Sequence, residues 1–156
     1  MPHPRALSFL LLAAAWVTYP ANAADFGAGV RYVGGTVSTI PADCSGQIRT
    51  TDDLFLEFRG GKRQVSVGYD HINLLEYGLN VNRRLGLAMA ISPLFLLAKS
   101  RKHFLTVGFT DTDGKQQAMV FRVDKSKIRS VLVSLEARTG IKVTYQDEQA
   151  RKAGRG

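Results

Sequence analysis

A single cysteine, Cys44, stands in the 156 residues, so no intrachain disulfide can staple this chain and its stability has to come from a buried core. Cys44 sits in "PADCSG", which reads as a loop, and an incidental thiol fits it better than an intermolecular bridge, because reactivity needs an electropositive setting. Tryptophan is as scarce: the one copy, Trp16, belongs to the N-terminal leader. No apolar run is long enough to span a bilayer. The longest, Leu85 to Ala98 ("LGLAMAISPLFLLA"), would rise about 21 Å as a helix against roughly 30 Å of hydrocarbon, and Pro93 would interrupt it. Acidic residues are also short, 13 against 21 basic, which leaves a formal net charge of +8. The basic residues are spread along the chain behind an export signal, so nucleic acid is not the expected partner; the charge suits solubility or attraction to an anionic envelope.

What is present begins with that signal. In "MPHPRALSFLLLAAAWVTYPANAADFG", Arg5 supplies a positive start, Ala6 to Val17 an apolar core, and Tyr19-Pro20 a break before small residues at Ala21 and Ala23. This is the pattern of a secretory signal peptide over residues 1–23, cleaved after Ala23 to leave an exported chain, periplasmic or extracellular. Its apolar core, about 18 Å as a helix, is too short for a membrane anchor. Beyond it the length suits one domain, residues 24–145, followed by a polar stretch, residues 146–156 ("QDEQARKAGRG"), expected to fray as a tail.

Within the domain the periodicity is mostly that of strands. "GVRYVGGTVSTI" carries β-branched and aromatic residues around Gly34-Gly35, which predicts a strand with a bulge or sharp bend. Thr51-Asp52-Asp53 and Gly60-Gly61-Lys62 read as corners. Between them Leu54, Leu56 and Phe58 alternate with Phe55, Glu57 and Arg59; beyond them Val65 and Val67 alternate with Ser66 and Gly68. Such alternation marks half-buried antiparallel strands. In "HFLTVGFTDTDGKQQAMVFRV", Asp113-Gly114 can take the positive φ angles of a tight turn, placing His103, Leu105, Val107 and Phe109 on one face and Met119, Phe121 and Val123 on that of the returning strand. The one well-punctuated helix follows, "DKSKIRSVLVSLEARTG", with Asp124 as its cap and Gly140 as its stop. Ile128, Val131, Leu132 and Leu135 form its apolar stripe, leaving Lys127, Arg129, Ser130, Ser134 and Arg138 for solvent. "IKVTY" alternates as a short terminal strand would.

Short antiparallel strands, a late hairpin and a closing helix are the order of pleckstrin-homology-like domains. The residues that carry the likeness are "VSVGYDHINLLEYG" (Val65 to Gly78), the hairpin from His103 to Val123, and the helix after it; from about Tyr32 to Tyr145 the chain resembles a secreted bacterial member of that superfamily, of the PH/GRAM type. The resemblance implies a mostly β fold, an antiparallel barrel or strongly curved sheet closed by one C-terminal α-helix, and a scaffold used for docking. It does not carry over a phosphoinositide site. The loop between the first two strands, "TVSTIPADCSGQ", has no lysine or arginine, and the closing helix lacks the usual tryptophan.

Catalytic chemistry finds little support. Asp52 and Asp53, as strand neighbours, would point to opposite faces. Asp70-His71 beside Ser66 has the letters of a hydrolytic triad but no strained nucleophile turn, so an envelope hydrolase using Asp70 and His71 is the weaker alternative, and His71 reads as a strand-end residue. His103 has no second ligand at metal spacing, and "VGGTVS" and "FRGGKRQ" miss the spacing of a phosphate loop. No enzyme activity, cofactor or metal is expected. The Leu85–Ala98 run has three readings. Leu87, Met89, Ile91, Leu94, Phe95 and Leu97 could be core; the run could dip into lipid, with Arg83, Arg84, Lys99, Arg101 and Lys102 each adding about 1 kcal/mol at anionic headgroups; or it could be a protein interface. Arg83, Arg84, Leu94, Phe95, Lys99, Arg101 and Lys102 are accordingly the candidate membrane or partner contacts. The functional expectation is a non-enzymatic binding or scaffolding module at the cell envelope, docking to a protein or an anionic lipid surface, or else a purely structural secreted domain.

Overall fold

The computed structural model describes residues 27–80, 90–91 and 102–155. Among the described residues nine strands form one sheet: β1 (Ala28–Gly35), β2 (Cys44–Arg49), β3 (Phe55–Gly60), β4 (Arg63–Gly68), β5 (Ile72–Gly78), β6 (Ala90–Ile91), β7 (His103–Thr110), β8 (Gln116–Val123) and β9 (Thr144–Tyr145). A 3-10 turn, Tyr69–His71, joins β4 to β5, and two helices follow β8: α1 (Lys125–Thr139) and α2 (Glu148–Arg155). The strand order is β4-β3-β2-β1-β8-β7-β5-β9, with β6 added beside β1 at Gly34 and Gly35. Every pairing is antiparallel except β5 with β9. The sheet is mixed and, among the described residues, open, with β4 and β9 as its edges.

Its curvature follows from where the inward side chains meet. Phe58 on β3 and Phe121 on β8 are three strand spacings apart, about 14 Å along a flat sheet, yet their ring centroids lie 5.2 Å apart, with Tyr32 of β1 against both. Only a sheet curled strongly around its inner face permits that contact. Ile128, Val131, Leu132 and Leu135 of α1 are buried in the same core. The stripe read from the sequence is the one that packs, and its burial contributes on the order of 6 to 12 kcal/mol before entropy is subtracted. Gly140 ends the helix in the left-handed conformation (φ 71°), its N–H donating to the Glu136 carbonyl at 2.9 Å. Asp124 holds the cap position, but it is its backbone carbonyl, not its carboxylate, that accepts from Lys127 and Ile128.

Several local expectations are revised. Cys44 opens β2 rather than lying in a loop, and its half-buried thiol packs on the core. Leu54 does not share the inward face of Leu56 and Phe58; it ends the preceding corner and is 68% exposed. In the β7–β8 turn only Gly114 has positive φ (76°); Asp111 and Lys115 close a longer loop, with Gly114 N–H donating to the Asp111 carbonyl. The bend expected at Gly34-Gly35 is there, as a register shift between Tyr32 and Gly34 against β8. The polar stretch expected to fray contains α2. Asp147 Oδ1 accepts from Ala150 N–H at 2.7 Å, and Ala150 and Gly154, one turn apart, are buried on one face. A side chain on Gly154 would sit 2.7 Å from the Tyr145 ring, so the helix docks through its smallest residues. The leader (1–23) and most of the Leu85–Ala98 run, with Arg83, Arg84, Leu94, Phe95, Lys99 and Arg101, lie outside the described residues; Lys102 is half-buried just before β7. Among the described residues no helix is long and apolar enough to cross a membrane.

Candidate functional site

A cleft of about 860 Å³ opens where the β2–β3 corner, the 3-10 turn, the β7–β8 loop and the last turn of α1 converge. Each wall is held by local chemistry. At the corner, Asp52 Oδ1 accepts from the N–H groups of Leu54 (2.8 Å) and Phe55 (2.9 Å), which pulls the Asp52 carboxyl below its ordinary range and turns Leu54 outward. Arg138 reaches across from α1 to pair with Asp53, and its second nitrogen donates to the Thr51 carbonyl at 3.5 Å. Arg138 is thus no solvent residue of the helix but the link between helix and corner. Ser134, also assigned to solvent from its spacing, donates to Thr50 Oγ1 at 2.7 Å.

On the opposite wall the 3-10 turn is tied to the end of β7 by His71 Nδ1, which donates to the Thr110 carbonyl at 2.9 Å. The β7–β8 loop is braced by Asp111: Oδ1 accepts from Asp113 and Lys115 N–H, and Oδ2 from Gln117 Nε2 at 2.7 Å. These bonds, the Gln117 contact first, hold the Asp111 carboxyl below its ordinary range. The floor is apolar: Val67, Tyr69 and Phe109 are buried, and Leu54 and Phe55 (44% exposed) form a lip. The Tyr69 hydroxyl is buried with no hydrogen-bond partner among the described residues; burial raises its pKa, with Arg138 pulling the other way. The ionisable rim is Asp53, Asp70 and Asp111 against Arg138, with His71 beside them. On a chain of net charge +8 this is a locally acidic, apolar-floored recess.

Ser66, Asp70 and His71 do line this one cleft, yet they are not arranged for acyl transfer. A catalytic histidine needs a carboxylate at one nitrogen and the nucleophile at the other. Here the Thr110 carbonyl occupies Nδ1, Asp70 Oδ2 lies 3.9 Å from Nε2, and no hydrogen bond joins Ser66 to His71 among the described residues. His71 belongs to the 3-10 turn rather than a strand end. His103 lies elsewhere, its ring stacked on that of Tyr77 of β5 and its Nδ1 hydrogen-bonded to the Tyr77 hydroxyl. Among the described residues no group of three or more His, Cys, Asp or Glu could hold a metal ion.

The sequence marks Asp52 and Asp53 as a corner and Ser66 as a strand residue, as found, but it does not bring Asp53, Ser66, Asp70 and His71 together with Leu54, Phe55, Phe109 and Arg138. The available signal was Leu54-Phe55, two bulky apolar residues directly after an acidic corner, of which alternation can bury only one. Comparison with protein-family models finds none that matches this chain, and comparison with curated proteins finds none similar to it.

Proposed function

We propose that this chain is an exported, non-enzymatic binding module of the bacterial cell envelope, built on a pleckstrin-homology-like plan, and that the cleft receives its partner. Antiparallel strands followed by an amphipathic helix on the inner face support the plan, while β9 and α2 extend beyond it. The observation that carries the function is the pairing of two exposed apolar side chains, Leu54 and Phe55, with an apolar floor and an aspartate-rich rim. Such a recess favours a protein segment that presents an apolar side chain next to a basic one. A photo-crosslinking residue in place of Leu54, tested in intact cells, is expected to give a discrete adduct that Asp70→Lys abolishes. The same residue in place of Val133, which is 60% exposed on the outer face of α1, should give none; equal labelling at both, or none at Leu54, contradicts the assignment.

A second reading has its own observation. The outward face of β1, β2, β3 and β8 carries Arg31, Arg49, Arg59 and Arg122, with Asp43 and Glu57 as acidic neighbours. This face suits an anionic lipid surface, at about 1 kcal/mol per basic residue and with strong salt dependence. Flotation with anionic vesicles at low salt is the test, and a chain left entirely in the soluble fraction rules the lipid version out.

A further inference from the structure

A pocket of about 390 Å³ lies between α1, the start of β1 and the end of β2, and none of its lining residues belongs to the cleft. Its apolar wall is made by Ala28, Ile48 and Val131, all buried. Its hydroxyls already have partners: Ser134 donates to Thr50 Oγ1 at 2.7 Å, and Ser130 donates to the Lys127 carbonyl at 2.8 Å. An occupant of this pocket therefore needs apolar surface more than hydrogen-bonding groups.

Strand register says which side chain the chain itself delivers there. Ala28 pairs with Ile48, and both face inward. Gly27, one step back, faces outward: a side chain there would meet Gln47 and Arg49 on the outer surface of β2. A further step, about 3.4 Å along the strand, reaches Phe26, which lies outside the described residues. Continuing the register sets position 26 opposite Thr50, and alternation turns it inward again, toward the pocket. We infer that the Phe26 ring is the occupant, seated against Ile48 and Val131. It is bonded directly to Gly27, which lines the pocket, so no loop has to close to bring it there. Seated, it lengthens β1 and pins the first half of α1 to the sheet. The inference does not rest on the cleft reading.

NMR of the purified protein tests it. Nuclear Overhauser contacts are expected from the Phe26 ring to the methyl groups of Ile48 and Val131. Phe26→Ser should shift the folding equilibrium toward the unfolded chain at least about tenfold, and Phe26→Leu should recover most of that loss. Indole, added as an apolar probe, should move the Ile48 and Val131 methyl resonances of Phe26→Ser and leave those of the unaltered protein in place. Absence of the ring contacts overturns the inference, as does indole acting equally on both proteins, which would leave the pocket to a separate apolar ligand. If Phe26→Ser fails to fold, the ring contacts in the unaltered protein decide alone.

Discussion

Tyr77 and His103 show burial shifting two neighbouring pKa values in opposite directions. Burial pushes the Tyr77 phenol up to about 12, and its hydroxyl is hydrogen-bonded to His103 Nδ1. Burial, followed by the nearby Lys125 charge, holds the His103 pKa below its ordinary 6.5. The sign follows from linkage: a group that binds protons more readily unfolded than folded makes stability rise with pH. The contribution of His103 is complete above about pH 6.5 and is lost as the pH falls through its folded value. NMR titration of the His103 ring should give a midpoint below 6.5, and His103→Gln should flatten the fall in melting temperature just below neutrality. A midpoint at or above 6.5 contradicts the packing described. Asp52 and Asp111, held low by hydrogen bonds, shape stability in the same direction at more acid pH.

Among the elements, α1 and α2 differ in how legible they were. The α1 stripe consists of large aliphatic side chains at helical spacing between a cap residue and a glycine, and every one of those positions is buried. The buried positions of α2 are alanine and glycine, which a hydrophobic pattern cannot distinguish from a polar tail; its docking depends on the Tyr77 and Tyr145 rings, distant in sequence or outside the helix. The strands were read as strands where alternation was regular. The reading failed at Leu54, where a turn's hydrogen bonds rather than periodicity fix which way the residue points, and at Cys44, which pairing with Tyr32 of β1 draws into a strand. Gly154→Val, with its branch driven into the Tyr145 ring, is expected to release α2 alone. Hydrogen exchange should then show amides 148–155 unprotected while β1, β7 and β8 stay protected; unaltered protection of α2 contradicts this docking.

At the scale of the molecule, the curl of the sheet makes the cleft. It brings the β2–β3 corner, the 3-10 turn and the β7–β8 loop to one end, and α1, seated on the inner face, delivers Arg138 to the same place. None of this was readable from local pattern, because it arises from contacts such as Phe58 on Phe121, between residues far apart in the chain. The most direct test is native-state hydrogen exchange on Leu135→Ala, a side chain fully buried against the curled sheet. A common core predicts that amides of β1, β3, β7 and β8 lose protection together, by about 2 to 5 kcal/mol, while Val133→Lys on the exposed face of α1 changes them by less than about 0.5 kcal/mol. Loss confined to α1, with the strands keeping their full protection, would mean that helix and sheet do not share a core, and the site built on their junction would fall with it.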